Sequence, residues 1–145
     1  MWKEAALESM RRQDGYLGSE HFLLGLLANP NGTAAMVTGV SLQDARAALH
    51  RLDDEALASV GITVEAPDKM PRRRRNRMAM TDSAKRVLMR GTREAERRLE
   101  KTIEAKHVLL AIVDTERPTL AQRVLEELGC DPTVIRARLN ERAAS

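Results

Sequence analysis

The chain has 145 residues, a formal net charge of +3 and an apolar fraction of 43%, which bounds it to one compact domain or two small fused ones with enough apolar material for a core. Aromatic residues make up only 2% and Cys130 is the single cysteine; this excludes an intramolecular disulfide and a cysteine-rich metal site, and leaves Leu, Ala, Val and Met to do the packing, which favours helices over sheets. No apolar run reaches the ~20 residues needed to span a bilayer, and an N-terminus carrying Glu4 and Glu8 has no signal-peptide pattern, so a reducing, cytoplasmic setting is expected.

In chain order, Trp2, Ala6, Leu7 and Met10 have helical spacing and predict a helix over 2–12, ended by Asp14-Gly15. Ser19 is a candidate N-cap for a helix carried by residues 21–28; Phe22 stands three residues on, so no capping box is expected. Asn29-Pro30-Asn31-Gly32 is a turn signal, followed by a short helix over 33–38 closed by Gly39. Ser41 caps a helix from Leu42 to about Leu52, with Leu42, Ala45, Ala48, Leu49 and Leu52 on one face, and a further short helix is expected over 53–61. Residues 61–79 carry Pro67, Pro71 and the basic run Arg72, Arg73, Arg74, Arg75 and Arg77, and read as a linker, with a brief extended piece at Ile62–Val64.

Thr81 caps a long helix from Asp82 to about Leu99, striped by Ala84, Val87, Leu88, Gly91, Ala95 and Leu99. Lys101-Thr102 breaks it, a helix follows around residues 107–113, and Arg117-Pro118 breaks the chain again. Leu120–Leu128 is helical with Gly129 at C′. Asp131 as N-cap and Pro132 at N1 start a last helix, with Val134, Ile135 and Leu139 facing inward. Cys130, beside Gly129 in apolar surroundings, reads as a packed thiol.

The second half repeats the first. Glu20-His21-Phe22-Leu23-Leu24 aligns with Lys106-His107-Val108-Leu109-Leu110 at an offset of 86, and Gly39 and Leu49 align with Gly129 and Leu139 at an offset of 90. The difference falls in the loop and third helix. The expectation is an all-α domain of about eight helices built as two tandem four-helix repeats about a pseudo-twofold axis, with residues 1–60 as the first repeat, 61–79 as the linker and 80–145 as the second.

The stretch GSEHFLLGLL (18–27), the segment Thr81-Asp82-Ser83-Ala84 with Met80 before it, the run AKRVLMRGTREA (84–95) and Leu125-Glu126-Glu127-Leu128-Gly129 together resemble the double Clp repeat, the N-terminal domain of ClpA- and ClpC-type unfoldase chaperones. The first repeat lacks the opening Thr-x-x-Ala segment, and Ala105-Lys106 stands where the family has Thr-Glu. No G-x-x-x-x-G-K-[ST] phosphate loop occurs in the chain. The resemblance leaves the chain as either a fragment of an actinobacterial ClpC-like unfoldase or a stand-alone Clp-repeat protein, and the altered second motif and the Arg-rich linker point to the stand-alone type, as found in actinobacteria.

His21 and His107 invite a catalytic reading, but neither has a Cys or Ser nucleophile at a telling spacing, and a histidine opening a buried helix serves by bonding backbone groups. His50 reads as surface, and three scattered histidines make no zinc site. Glu20 is expected to be exposed near a helix start, as a first-turn acid. The resemblance adds that the Glu of this motif and the opening Thr of a repeat bind phosphorylated arginine; here that leaves Glu20 and Thr81 as at most one degraded site, since Lys106 reverses the charge in the second repeat. Met70, Met78, Met80 and Met89 read as core filler rather than an adaptable binding surface.

The resemblance implies a non-enzymatic protein-interaction domain without cofactor or metal. It would bind substrate proteins, adaptors or peptide-like ligands for a Clp ATPase and its protease, or compete with that ATPase for them. It also implies cyclic-peptide antibiotics as ligands, with Trp2, Met10 and Phe22 as apolar contacts. Two alternatives stand beside this. One is a nucleic-acid-associated regulator using Arg72–Arg77, weakened by the lack of stacking aromatics or a helix-turn-helix signature. The other is a hydrolase using His21 or His107.

Overall fold

A computed structural model describes residues 1–60, 79–115 and 119–144. Eight helices lie among them: α1 (Trp2–Arg12), α2 (Ser19–Leu27), α3 (Thr33–Thr38), α4 (Leu42–Val60), α5 (Asp82–Arg97), α6 (Ala105–Asp114), α7 (Leu120–Glu127) and α8 (Pro132–Ala144). The first four and the last four form the two expected halves. The linker reading apart from Ala79, which opens a short strand, the extended piece at Ile62–Val64 and the break at Arg117-Pro118 lie outside the described residues.

α2 is the organising element. All nine of its residues are buried, and it packs against α1, α3, α4, α5, α6 and α7. Its counterpart α6 is buried from His107 to Val113. A helix apolar all round must lie inside, so these two form the centre while α1 and α5 cover them from outside. The α1–α2 crossing is tight: a methyl group on Gly25 would lie 2.8 Å from Met1 O and 2.9 Å from Ala5 N, both backbone atoms. The offset of 86 extends to backbone conformation. Gln13 ends α1 at φ 60°, and Leu99 follows α5 at φ 58°.

One short parallel pairing joins the halves. Tyr16–Leu17 (β1) runs beside Ala79–Met80 (β2), with Tyr16 opposite Ala79 and Leu17 opposite Met80, and Thr81 N donates to Leu17 O at 3.0 Å. Composition favoured helices, and two-residue strands carry no periodicity to read.

Several local expectations need correction. α4 is one helix of 19 residues rather than two; no Gly or Pro interrupts it, and Asp53, taken as the start of a new helix, instead pairs with Arg12 across the fold. Ser19 is the first residue of α2, and Gly18 takes the N-cap place. Leu99 is 91% exposed because its left-handed backbone turns it off the α5 stripe. Val134 is exposed, while Ile135 and Leu139 are buried. Met80 packs against the core but Met89 is exposed, and Met70 and Met78 lie outside the described residues.

Candidate functional site

Each His-bearing helix opens the same way. Gly18 N donates to His21 Nδ1 at 2.8 Å, and Glu104 N donates to His107 Nδ1 at 2.8 Å. Both rings are buried. The histidine therefore does what Gln or Glu does in a capping box, returning a bond to the N-cap amide. Because Nδ1 accepts, the ring proton sits on Nε2. In the first half that Nε2–H donates to Asp14 Oδ2 at 2.7 Å, and Arg12 Nε donates to the same oxygen at 2.9 Å. Arg12 also reaches Asp53. Burial pushes the Asp14 carboxyl up, but the bonds from His21 and Arg12 outweigh it and hold the group below the ordinary carboxylate range. These contacts account for His21 as a structural residue.

Glu20 is not exposed, as expected from its helix-start position, but 4% exposed. Its carboxylate folds back over Gly18, occupying the space a side chain there would need, with Oε1 3.8 Å from His21 Nδ1. Tyr16 lies edge-on to His21, ring centroids 5.5 Å apart. Burial first, and then the charges of Glu20, Asp14 and Asp53, push its phenol up to about 12.

Thr81 reaches this region from the other half through the strand pairing, one residue beyond the Leu17–Met80 register. Its hydroxyl accepts from Ala84 N at 3.2 Å as the N-cap of α5 and lies 3.0 Å from Ser83 Oγ. Lys106, the counterpart of Glu20, faces outward to acids: its Nζ is 3.0 Å from Glu100 and 3.6 Å from Glu104.

The apolar spacing of α1 marks its outer face, not its inner one. Trp2 is 52% exposed, Leu7 53% and Met10 61%. Positions 2, 6 and 10 stack one turn apart along the helix. The inner face is Ala5, Glu8 and Ser9. Glu8 is buried in a two-pronged pair with Arg46 of α4, and Ser9 Oγ donates to Tyr16 O. Phe22 corrects the expected contact set: it is fully buried, edge-on beneath Trp2 with centroids 5.4 Å apart and planes at 86°. It sits on α2, which is covered on every side, so it supports the surface rather than touching a ligand. Leu7, read in the sequence only as part of the helical spacing, joins Trp2 and Met10 on this surface; the buried Glu8 marks which face points in.

The Arg72–Arg77 run lies outside the described residues. His50 is exposed, 3.5 Å from Asp54. Cys130 is half-buried, its Sγ 3.9 Å from Thr38 O, and burial raises its thiol. Among the described residues no cluster of three or more His, Cys, Asp or Glu could hold a metal ion, and no helix is long and apolar enough to cross a membrane.

Residues 79–145 match the family model of the Clp repeat (R) N-terminal domain. The chloroplastic chaperone protein ClpC of Pisum sativum is 34% identical over 135 residues, covering 91% of this chain and 13% of that protein. Chloroplastic ClpC1 of Arabidopsis thaliana is 33% identical over the same share of this chain. The chain thus spans about an eighth of the length of these relatives, and as plant proteins they lend no support to an actinobacterial origin. Among solved structures, the N-terminal domain of the caseinolytic protease associated chaperone ClpD from Arabidopsis thaliana superposes with a TM-score of 0.68 at 20% identity, covering 98% of this chain and 88% of that one; this likeness establishes the fold alone.

Proposed function

We propose that this chain, whose residues 79–145 match the Clp repeat (R) N-terminal domain and which is 34% identical to part of a chloroplastic ClpC, is a non-enzymatic protein-interaction domain of that family. Its ligands are substrate proteins or adaptors of a Clp ATPase, held for that ATPase or in competition with it. The observation that carries this reading is the outer face of α1, where Trp2, Leu7 and Met10 stand exposed on a helix whose inner face, Ala5, Glu8 and Ser9, is already buried. Apolar side chains presented this way, over a rigid aromatic floor at Phe22, suit capture of an apolar segment or a cyclic peptide.

A phosphoarginine site reduced to Glu20 and Thr81 is the finer proposal for the seam. The strand register, which brings Thr81 beside Leu17, supports it; Glu20 would have to swing out from Gly18 to meet a guanidinium. Trp2, the single tryptophan, reports on the α1 face directly. Titration with a Clp ATPase, phosphoarginine or a cyclic peptide is expected to shift its emission for at least one of them. The double substitution Met10→Ala and Leu7→Ala should weaken that binding about tenfold or more. Binding of none of the three, by emission and by calorimetry, would remove the proposal.

A further inference from the structure

The outer face of α1 carries charge of one sign. Trp2, Ala6 and Met10 form one row along it, and Lys3, Leu7 and Arg11 form the next, each row stepping one turn at a time. Lys3 and Arg11 are exposed on either side of Leu7. Both acids of the helix are already engaged: Glu4 lies 2.9 Å from the terminal amino group, and Glu8 is buried against Arg46. Asp14 and Asp53, which reach the C-terminal end of α1, are both held by Arg12. The exposed face is therefore apolar with a basic border.

The fold does not require this arrangement. At the offset of 86, Leu7 corresponds to Arg93 of α5 and Met10 to Glu96, and both of those are exposed. The second half thus places charges of both signs where the first places leucine and methionine, on a helix that packs against its own His-bearing helix as α1 does. Apolar residues that the scaffold can do without, bordered by unopposed basic ones, mark a surface made for a partner. α1 presents a convex ridge about 16 Å long, at 1.5 Å per residue. Its backbone groups are spent within the helix, so a strand cannot add to it. An occupant must bring side chains of matching spacing, as a second helix does by ridge-into-groove packing. Resting on the reading of α1 as a binding face, we propose that its occupant is an amphipathic helix of a partner protein. The apolar stripe of that helix lies over Trp2, Leu7 and Met10, and Asp or Glu along its border meets Lys3 and Arg11. The stripe supplies the affinity, and the acids set orientation and partner choice.

The test uses the full chain and two blocked, Ala-based helical peptides of equal length. Both carry Leu at i, i+4 and i+7; one is bordered by Glu and the other by Lys. Binding is followed by Trp2 emission and by calorimetry at low and high salt. The Glu peptide is expected to bind about tenfold tighter than the Lys peptide, with the difference shrinking as salt rises. Lys3→Glu combined with Arg11→Glu should reverse the preference, and circular dichroism checks that this variant is folded. Leu7→Arg introduces the residue type that α5 carries at the corresponding place, so it should fold, and it should weaken the Glu peptide about tenfold. Equal binding of the two peptides, or a preference that survives the charge reversal, overturns the acidic partner while leaving α1 as an apolar binding face. Binding of neither peptide also overturns it; the Clp ATPase, phosphoarginine and cyclic-peptide titrations then decide the broader reading separately.

Discussion

The tight crossing of the first two helices in each half can be tested with a single methyl group. In the first half the close approach falls on α2, at Gly25 opposite Ala5. In the second it falls on α5, at Gly91, where an added methyl would find its nearest neighbour, His107 O, at 3.6 Å, an ordinary contact. Both glycines lie inside helices, so Ala at either gains about 1 kcal/mol of helix propensity. Gly91→Ala keeps that gain. Gly25→Ala must push backbone away from backbone, since Met1 O at 2.8 Å and Ala5 N at 2.9 Å cannot rotate aside; overpacking of this kind costs about 1–3 kcal/mol. The net expectation is a loss of up to about 2 kcal/mol for Gly25→Ala and a gain of up to about 1 for Gly91→Ala. At about 2–4 °C per kcal/mol for a chain of this size, thermal unfolding followed by circular dichroism should separate the two variants by several degrees. Gly25→Ala should also alter Trp2 emission, because α1 carries Trp2 onto Phe22. A Gly25→Ala chain as stable as Gly91→Ala would refute the close approach and with it the seating of α1.

Tyr16 is the single tyrosine, so tyrosinate absorbance reads it alone. It should titrate near 12, and Glu20→Gln should bring the midpoint down; because the folded value is raised, the stability it contributes is complete below about pH 10 and is lost as pH rises toward the folded value. Asp14 has the opposite sign: its folded pKa is depressed, so its contribution is present above about pH 4 and is lost as pH falls through the lower folded value. Asp14→Asn should therefore flatten the acid limb of a stability–pH curve measured by denaturant unfolding. Gln122 caps α7 through Thr119 N at 3.1 Å and donates to Ile112 O and Thr115 O, both at 2.9 Å. Gln122→Ala should cost about 2–3 kcal/mol in denaturant unfolding, at roughly 1 kcal/mol per bond, whereas an exposed substitution such as Arg123→Ala should cost little.

The helices were legible where their ends are chemically marked. Thr81 accepts from Ala84 N, Ser41 from Asp44 N and Asp131 from Thr133 N, and Gly39 and Gly129 take positive φ at their C-terminal ends. Thr119-Leu120-Ala121-Gln122 carries the same kind of mark, a capping box that could have been read from its spacing. What was not legible depends on partners far along the chain. Asp53 reads as a helix breaker until Arg12, 41 residues away, is seen to hold it. Glu20 reads as a surface acid until its carboxylate is found over Gly18. The direction of α1 is the sharpest case: Glu8 and Ser9 are the wrong residues to bury by composition, and only Arg46 and Tyr16 O make their burial affordable.

Duplication explains why the candidate sites are unlike one another. Residues that serve the scaffold keep their roles in both halves: His21 and His107 cap through Nδ1, Gln13 and Leu99 turn left-handed, and Asp14 and Glu100 lie against the ring. Residues around the two caps have diverged. Glu20 and Lys106 are the clearest instance. In the first half an acid lies buried over the cap while Arg12 holds Asp14 in place; in the second a lysine draws Glu100 toward itself and Arg98 turns to Glu94 and Asn140. In the second half Glu100 thus lies 2.9 Å from His107 Nε2 with Lys106, not an arginine, beside it. The same fold therefore holds an acid folded over the cap in one half and a lysine set between two acids in the other.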